Sequence, residues 1–178
     1  MTELETTIAD NRAAVEEFIA TARTIDPQIW TTPRADGKWS PAQIVEHLAI
    51  VYEYSRGVVK GTAGKGLPRL LRPLLRRFVV DSTLKAGKFT RKGRAPSIFQ
   101  PSPTPPAPAA DLIARLSTAV TGFEGDIRSG HPAGRHTITH PFFGTMPTMN
   151  YVRLQAIHAR HHRAQLSSID SRSARSSA

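Results

Sequence analysis

Cysteine is absent from the 178-residue chain, which excludes a disulfide scaffold, thiolate metal sites and a cysteine nucleophile. No apolar run approaches the roughly 20 residues needed to cross a bilayer. The opening stretch MTELETTIADNR is too polar and acidic for a signal peptide. A soluble, cytoplasmic protein is therefore expected. Acidic residues are scarce, 14 against 24 Lys and Arg. The sequence also lacks a P-loop, a dinucleotide fingerprint and a Ser-His-Asp order, and no internal repeat is evident.

The charge imbalance has an address. Between Gly57 and Asp111 stand eleven Lys or Arg residues and one acid, Asp81. The rest of the chain holds thirteen bases and thirteen acids. The net charge of +10 thus belongs to one connection, and the remaining body is neutral.

Four amphipathic segments flank that connection. The first helix is expected over about Glu3 to Arg23, with Thr2 and Glu5 spaced as a capping box. Its stripe runs Leu4, Ile8, Asn11, Val15, Phe18, Ala22 and Ile25. The second opens at Ser40 as N-cap, with Pro41 at the first helical position and Gln43 completing a capping box. Trp39 would staple its start, Ile44, His47, Leu48, Val51 and Tyr52 share its apolar face, and Gly57 is its expected stop.

The third helix should span Ala109–Ile127. The fourth should begin with Thr148 as N-cap and end near Ile169. The glycine- and proline-bearing stretch from Arg128 to Pro147 reads as a structured loop without strand alternation. The expected fold is all-α: a four-helix bundle over residues 1–170 with a disordered tail over 171–178. A long basic, Pro-rich connection over 58–108 joins helices 2 and 3 and permits parallel neighbours. Within it, Leu67 to Val80 could form a basic amphipathic helix broken near Pro73. The six prolines between Pro96 and Pro108 suggest an extended path. So long a connection is uncommon in a compact domain and is usually functional.

Three of the seven histidines carry a chemical hypothesis. His158 and His162 lie four residues apart, so both imidazoles leave one helix face a turn apart. They share that face with Tyr151, Leu154, Gln155, Gln165 and Ile169. Such a pair can hold one metal ion, but it needs a third ligand. His47, flanked by Ile44, Leu48 and Val51, is either a hydrogen-bonded core residue or that ligand. Two independent inward-facing histidine sites favour the ligand reading. Three neutral imidazoles suit Zn or Ni, then Fe or Co, and not Mg or Ca. Three protein ligands also leave coordination positions for water or substrate.

The remaining polar residues have plainer expectations. Gln165 and Glu46 flank the ligands in sequence as candidate orienting groups, although Glu46 points to a different side of its helix. Tyr52 and Tyr54 are core residues or proton donors. His140 braces its loop, and His131 and His136 belong to the surface.

The segment Trp39-Ser40-Pro41-Ala42-Gln43-Ile44-Val45-Glu46-His47-Leu48 resembles the WSxxxxxxHL start of helix 2 in the DinB-like (DinB/YfiT) superfamily. His140-Pro141-Phe142-Phe143-Gly144 and the run from His158 to Leu166 resemble its HPxFG and HxxHHxxQL elements. The resemblance spans residues 1–170. It implies a four-helix bundle holding a divalent metal through His47, His158 and His162, with His161 as a neighbour. It further implies a metal-dependent hydrolase, or a transferase or isomerase using mycothiol, bacillithiol or a related thiol. Residues 58–94 depart from the family pattern.

The expected partner is a small molecule, anionic or a low-molecular-weight thiol, drawn by a basic connection folded over the pocket. Nucleic acid is not expected from the bundle motifs, and a homodimer is compatible with the fold. The alternative is a non-enzymatic binding protein. In that case Leu70, Leu71, Leu74, Leu75 and Phe78, interleaved with Arg69, Arg72, Arg76 and Arg77, dock on an anionic membrane surface or on nucleic acid.

Overall fold

The computed structural model describes the chain except residues 34, 65, 91–92, 103–106, 131–133, 135 and 177–178, and the side chains from 170 onward. Four long helices form the body: α1 (Glu3–Thr24), α2 (Pro41–Lys60), α5 (Ala109–Gly130) and α6 (Thr148–Ser176). Between α2 and α5 run α3 (Arg72–Leu75), a π-helical stretch Arg76–Asp81 and α4 (Ser82–Ala86). Strands β1 (Thr137–His140) and β2 (Gly144–Pro147) form an antiparallel hairpin before α6, pairing Ile138 with Met146 and His140 with Gly144.

Local chemistry accounts for most helix ends. At α2 both halves of the capping box form: Gln43 N–H donates to Ser40 Oγ at 3.3 Å and Ser40 N–H to Gln43 Oε1 at 3.0 Å. At α1 only half forms. Glu5 N–H donates to Thr2 Oγ1, but the Glu5 carboxylate accepts from Arg128 on α5. Gly57 does not stop α2. The stop is Gly61, whose φ of 74° is open to glycine at little cost, while the Gly57 carbonyl accepts from Thr62 and Ala63 N–H.

Other expectations also shift. Pro73 lies in the first turn of α3 and does not break a helix, because an N–H at that position would have no intrahelical partner. The loop expected before α6 contains the hairpin. Its strands are four residues long, too short for their alternation to stand out, yet Ile138 and His140 are buried and Thr137 and Thr139 are exposed. The tail expected to be disordered over 171–178 is helical as far as Ser176, since neither glycine nor proline interrupts it. Residues 177–178 lie outside the described residues, as do four of the positions in the proline-rich stretch and His131.

Ion pairs reveal how the helices run. Arg153, Arg160 and Arg163 on α6 meet Glu3, Asp10 and Glu17 on α1 in rising order, so the two helices are parallel. Arg115 pairs with Glu53, and Asp126 with Arg56, so α2 and α5 are parallel as well. The connection between α2 and α5 must therefore return the length of the bundle, which explains why it is long. The core between these pairs is filled by Phe18, Ile44, Leu48, Tyr52, Leu116, Phe123, Tyr151 and Leu166, all fully buried. Exposed pairs of this kind contribute little stability individually. Apolar burial does most of the work.

The returning chain is tied to the hairpin. Leu67 N–H donates to the Pro141 carbonyl at 3.1 Å, Arg76 to the Thr145 carbonyl at 2.7 Å, and Val80 is buried. A Cβ on Gly66 would lie 2.1 Å from the Pro141 oxygen, so glycine is required for this close approach. His140 braces the hairpin turn as expected: its Nδ1 accepts from Phe142 N–H at 3.1 Å, and its ring stacks on Phe143.

Burial lowers the His140 pKa to about 4, below the ordinary value near 6.5. Because the folded pKa is the lower one, the unfolded chain takes up the proton first. The contribution of neutral His140 is fully present above about pH 6.5 and is lost as pH falls towards 4. His140→Asn keeps an acceptor for Phe142 N–H and removes the titration. Denaturant unfolding at about pH 7 and about pH 4.5 should therefore show a loss of stability on acidification smaller by roughly 2–3 kcal/mol in the variant. An identical acid dependence contradicts this assignment.

Candidate metal centre

Helices α2 and α6 run antiparallel, because His47 faces His158 and His162 while Ser55, two turns on, meets Tyr151 and Gln155. The helical repeat puts His158 and His162 on one face of α6. The apolar positions Ile44, Leu48 and Val51 turn His47 inward to meet them. His47 Nε2 lies 3.4 Å from His158 Nε2, which in turn lies 2.9 Å from His162 Nε2. The ligand atoms of all three lie within 4.8 Å of one another. His47 and His162 are buried and His158 half-buried. The three residues singled out in the sequence do come together.

The outer ring nitrogens define the tautomers. His47 Nδ1 sits 2.6 Å from the Phe99 carbonyl, which can only accept, so this nitrogen carries the proton. His162 Nδ1 donates to Gln165 Oε1 at 3.0 Å, and Gln165 Nε2 donates to His161 Nε2 at the same distance. Both Nε2 atoms therefore present lone pairs towards His158 Nε2. With its own proton on Nδ1, His158 adds a third Nε2 lone pair to the cluster.

Electrostatics keep the cluster neutral. Burial lowers all three pKa values, most strongly at His158 and His162. Neighbouring imidazoles lower them further, while the Phe99 carbonyl partly offsets the shift at His47. A neutral imidazole is the form that binds a metal.

The surroundings come largely from outside the four helices. Trp39 packs on His47 with ring centroids 4.7 Å apart, so it walls the site as well as preceding the N-cap. Phe89 lies against His158 and His161. The turn Ser97–Phe99 delivers the carbonyl to His47. Neither Phe89 nor Phe99 stands out by periodicity. The available signal was an isolated aromatic in a stretch otherwise basic or proline-rich.

Gln165 bonds the His162 ring directly, whereas Glu46 reaches His47 at one remove. Glu46 Oε2 accepts from Ser102 N–H at 3.2 Å, three residues beyond Phe99, and its other oxygen is 3.8 Å from Arg115. Tyr52 is core, donating to Asn11 Oδ1 at 2.7 Å. Tyr54 packs beneath Phe99 and beside His140. His161 and His136 are exposed. In the basic connection Arg72 and Arg76 bond backbone carbonyls of Leu67 and Thr145, and Lys88 is exposed next to Phe89. Lys65, Arg91 and Lys92 lie outside the described residues.

A bundle of four helices that gathers three neutral imidazoles from two of them defines a class of helical proteins suited to one transition-metal ion. Residues 4–166 match the DinB superfamily, and the chain belongs to it. Two solved structures share the fold. TT2238, described as a four-helix bundle protein, superposes with a TM-score of 0.58 at 21% identity, covering 93% of this chain and 98% of its own. YfiT from Bacillus subtilis, described as a probable metal-dependent hydrolase with an unusual four-helix bundle topology, gives 0.61 at 15% identity, covering 98% and 90%. No curated protein sequence matches the chain. Among the described residues, no helix is long and apolar enough to cross a membrane.

The tautomers are directly measurable. Long-range proton–nitrogen correlation spectra of the metal-free protein at about pH 7 should show His47 and His162 neutral and protonated at Nδ1. An imidazolium at either residue, or the Nε2–H tautomer, contradicts the geometry.

Proposed function

We propose that this chain is a metal-dependent enzyme in which His47, His158 and His162 hold one divalent ion, and a small molecule reacts there by hydrolysis or by transfer to a thiol. The convergence of three Nε2 atoms, two of them fixed as lone-pair donors by Phe99 and Gln165, carries this reading. The donor set fits a borderline ion such as Zn or Ni before Fe or Co, because it offers neutral nitrogen and no carboxylate. Three protein ligands leave positions for a substrate, as in catalytic centres. The description of YfiT as a probable metal-dependent hydrolase accords with the hydrolytic form.

When bound, such an ion acts as a Lewis acid that acidifies a water or thiol and polarises a carbonyl. The protein's own groups do the rest. The Phe99 carbonyl and Gln165 fix ring orientation and raise the basicity of two ligands. Trp39 and Phe89 present apolar rings to the imidazoles and limit water around them. The excess positive charge of the 58–94 connection favours an anionic substrate or thiol.

Protein purified without a histidine tag should carry close to one divalent ion per chain by elemental analysis. His158→Ala should lose the ion while keeping its helical circular dichroism. Gln165→Leu should weaken metal binding by about 10- to 100-fold. Turnover, sought with ester and amide panels and with electrophiles plus a low-molecular-weight thiol, should stop on chelation and return on reloading. Equal metal content in wild type and His158→Ala, or turnover by stripped protein, contradicts the proposal.

A further inference from the structure

The surface of the returning connection holds large apolar side chains away from the core. Leu70 is 92% exposed, Leu71 50%, Leu74 57% and Phe78 45%. Leu70 and Leu71 lie in the turn that leads into α3, and Leu74 and Phe78 follow at a step of four along α3 and the π-helical stretch. The platform beneath them is fixed. Val80 and Thr83 are buried, Arg72 bonds the Leu67 carbonyl, and Arg76 bonds the hairpin at Thr145. Clustered exposure of this kind on a soluble chain marks an interaction surface.

Charge selects the partner. Arg69 and Arg77 are exposed beside the leucines, and Lys85 and Lys88 are exposed further along the same connection. Asp81 is the only acid between Gly57 and Asp111. A second copy docking symmetrically would set this cationic face against itself. A nucleic acid would use the cations but leave the leucines in water. A surface that takes both apolar side chains and cations at once is a bilayer interface carrying anionic headgroups.

We propose that Leu70, Leu71, Leu74 and Phe78 dock this face on an anionic phospholipid surface, with Arg69 and Arg77 meeting the headgroup phosphates. The leucines sit at the acyl boundary and no segment crosses the bilayer. None of these side chains belongs to the histidine cluster, and the vesicle test does not depend on the metal.

The full chain is sedimented with vesicles of phosphatidylcholine alone and with about 30% phosphatidylglycerol added. Binding is expected only to the anionic vesicles, falling steeply as salt rises. The joint change Leu70→Ser, Leu71→Ser and Leu74→Ser should weaken it at least about tenfold. Arg69→Glu with Arg77→Glu should weaken it at least about 25-fold, roughly fivefold for each cation lost. These side chains are exposed, so circular dichroism should stay unchanged in both variants. Absence of preferential binding to anionic vesicles overturns the proposal, as does binding unaffected by the leucine changes. Tighter binding to a DNA or RNA oligonucleotide than to vesicles overturns it in favour of nucleic acid. A dimer lost in the leucine variant without vesicle binding assigns the face to a second copy instead.

Discussion

Three imidazoles packed edge to edge inside a bundle repel one another if charged and compete for protons if neutral. The antiparallel contact of α2 with α6 is built around this constraint. Phe99 and Gln165 take the outer protons of two rings and leave their inner lone pairs facing the third. Burial keeps the cluster uncharged. A cluster of core histidines retained for packing alone would satisfy its ring nitrogens outward. Here the ring nitrogens converge, which is the arrangement a metal ion stabilises.

The rest of the architecture serves that contact. Parallel pairing of α1 with α6 and of α2 with α5 forces one long return, and the chain uses it to close the site. Glu46 anchors Ser102 and so places the neighbouring Phe99 carbonyl, while Phe89 from the same return walls His158. The hairpin between α5 and α6 gives the return a second anchor at Pro141 and Thr145. The ion-pair ladders along α1–α6 and α2–α5 match part of the body's balanced charge across helix contacts. The return is left with the unbalanced positive charge.

Much of this was legible before any coordinates. Apolar periodicity located the four helices, because each must bury a stripe. The spacing of His158 and His162, with an inward His47, identified the candidate ligands. The capping chemistry around Ser40 also placed the start of α2 correctly. Where local signals compete, reading failed. Gly57 lies inside α2 since the helix continues to the left-handed Gly61. The hairpin strands are shorter than the window in which alternation becomes visible. Phe89, Phe99 and the Glu46–Ser102 link are long-range contacts with no periodic trace in the chain.

The central claim is that nitrogen atoms from His47, His158 and His162 ligate one ion. X-ray absorption spectroscopy of the zinc-loaded full-length protein reads that shell directly. The account predicts three imidazole nitrogens at about 2.0–2.1 Å, falling to two in His47→Ala. A shell with fewer than three imidazoles in the wild type, or one unchanged by His47→Ala, would contradict it.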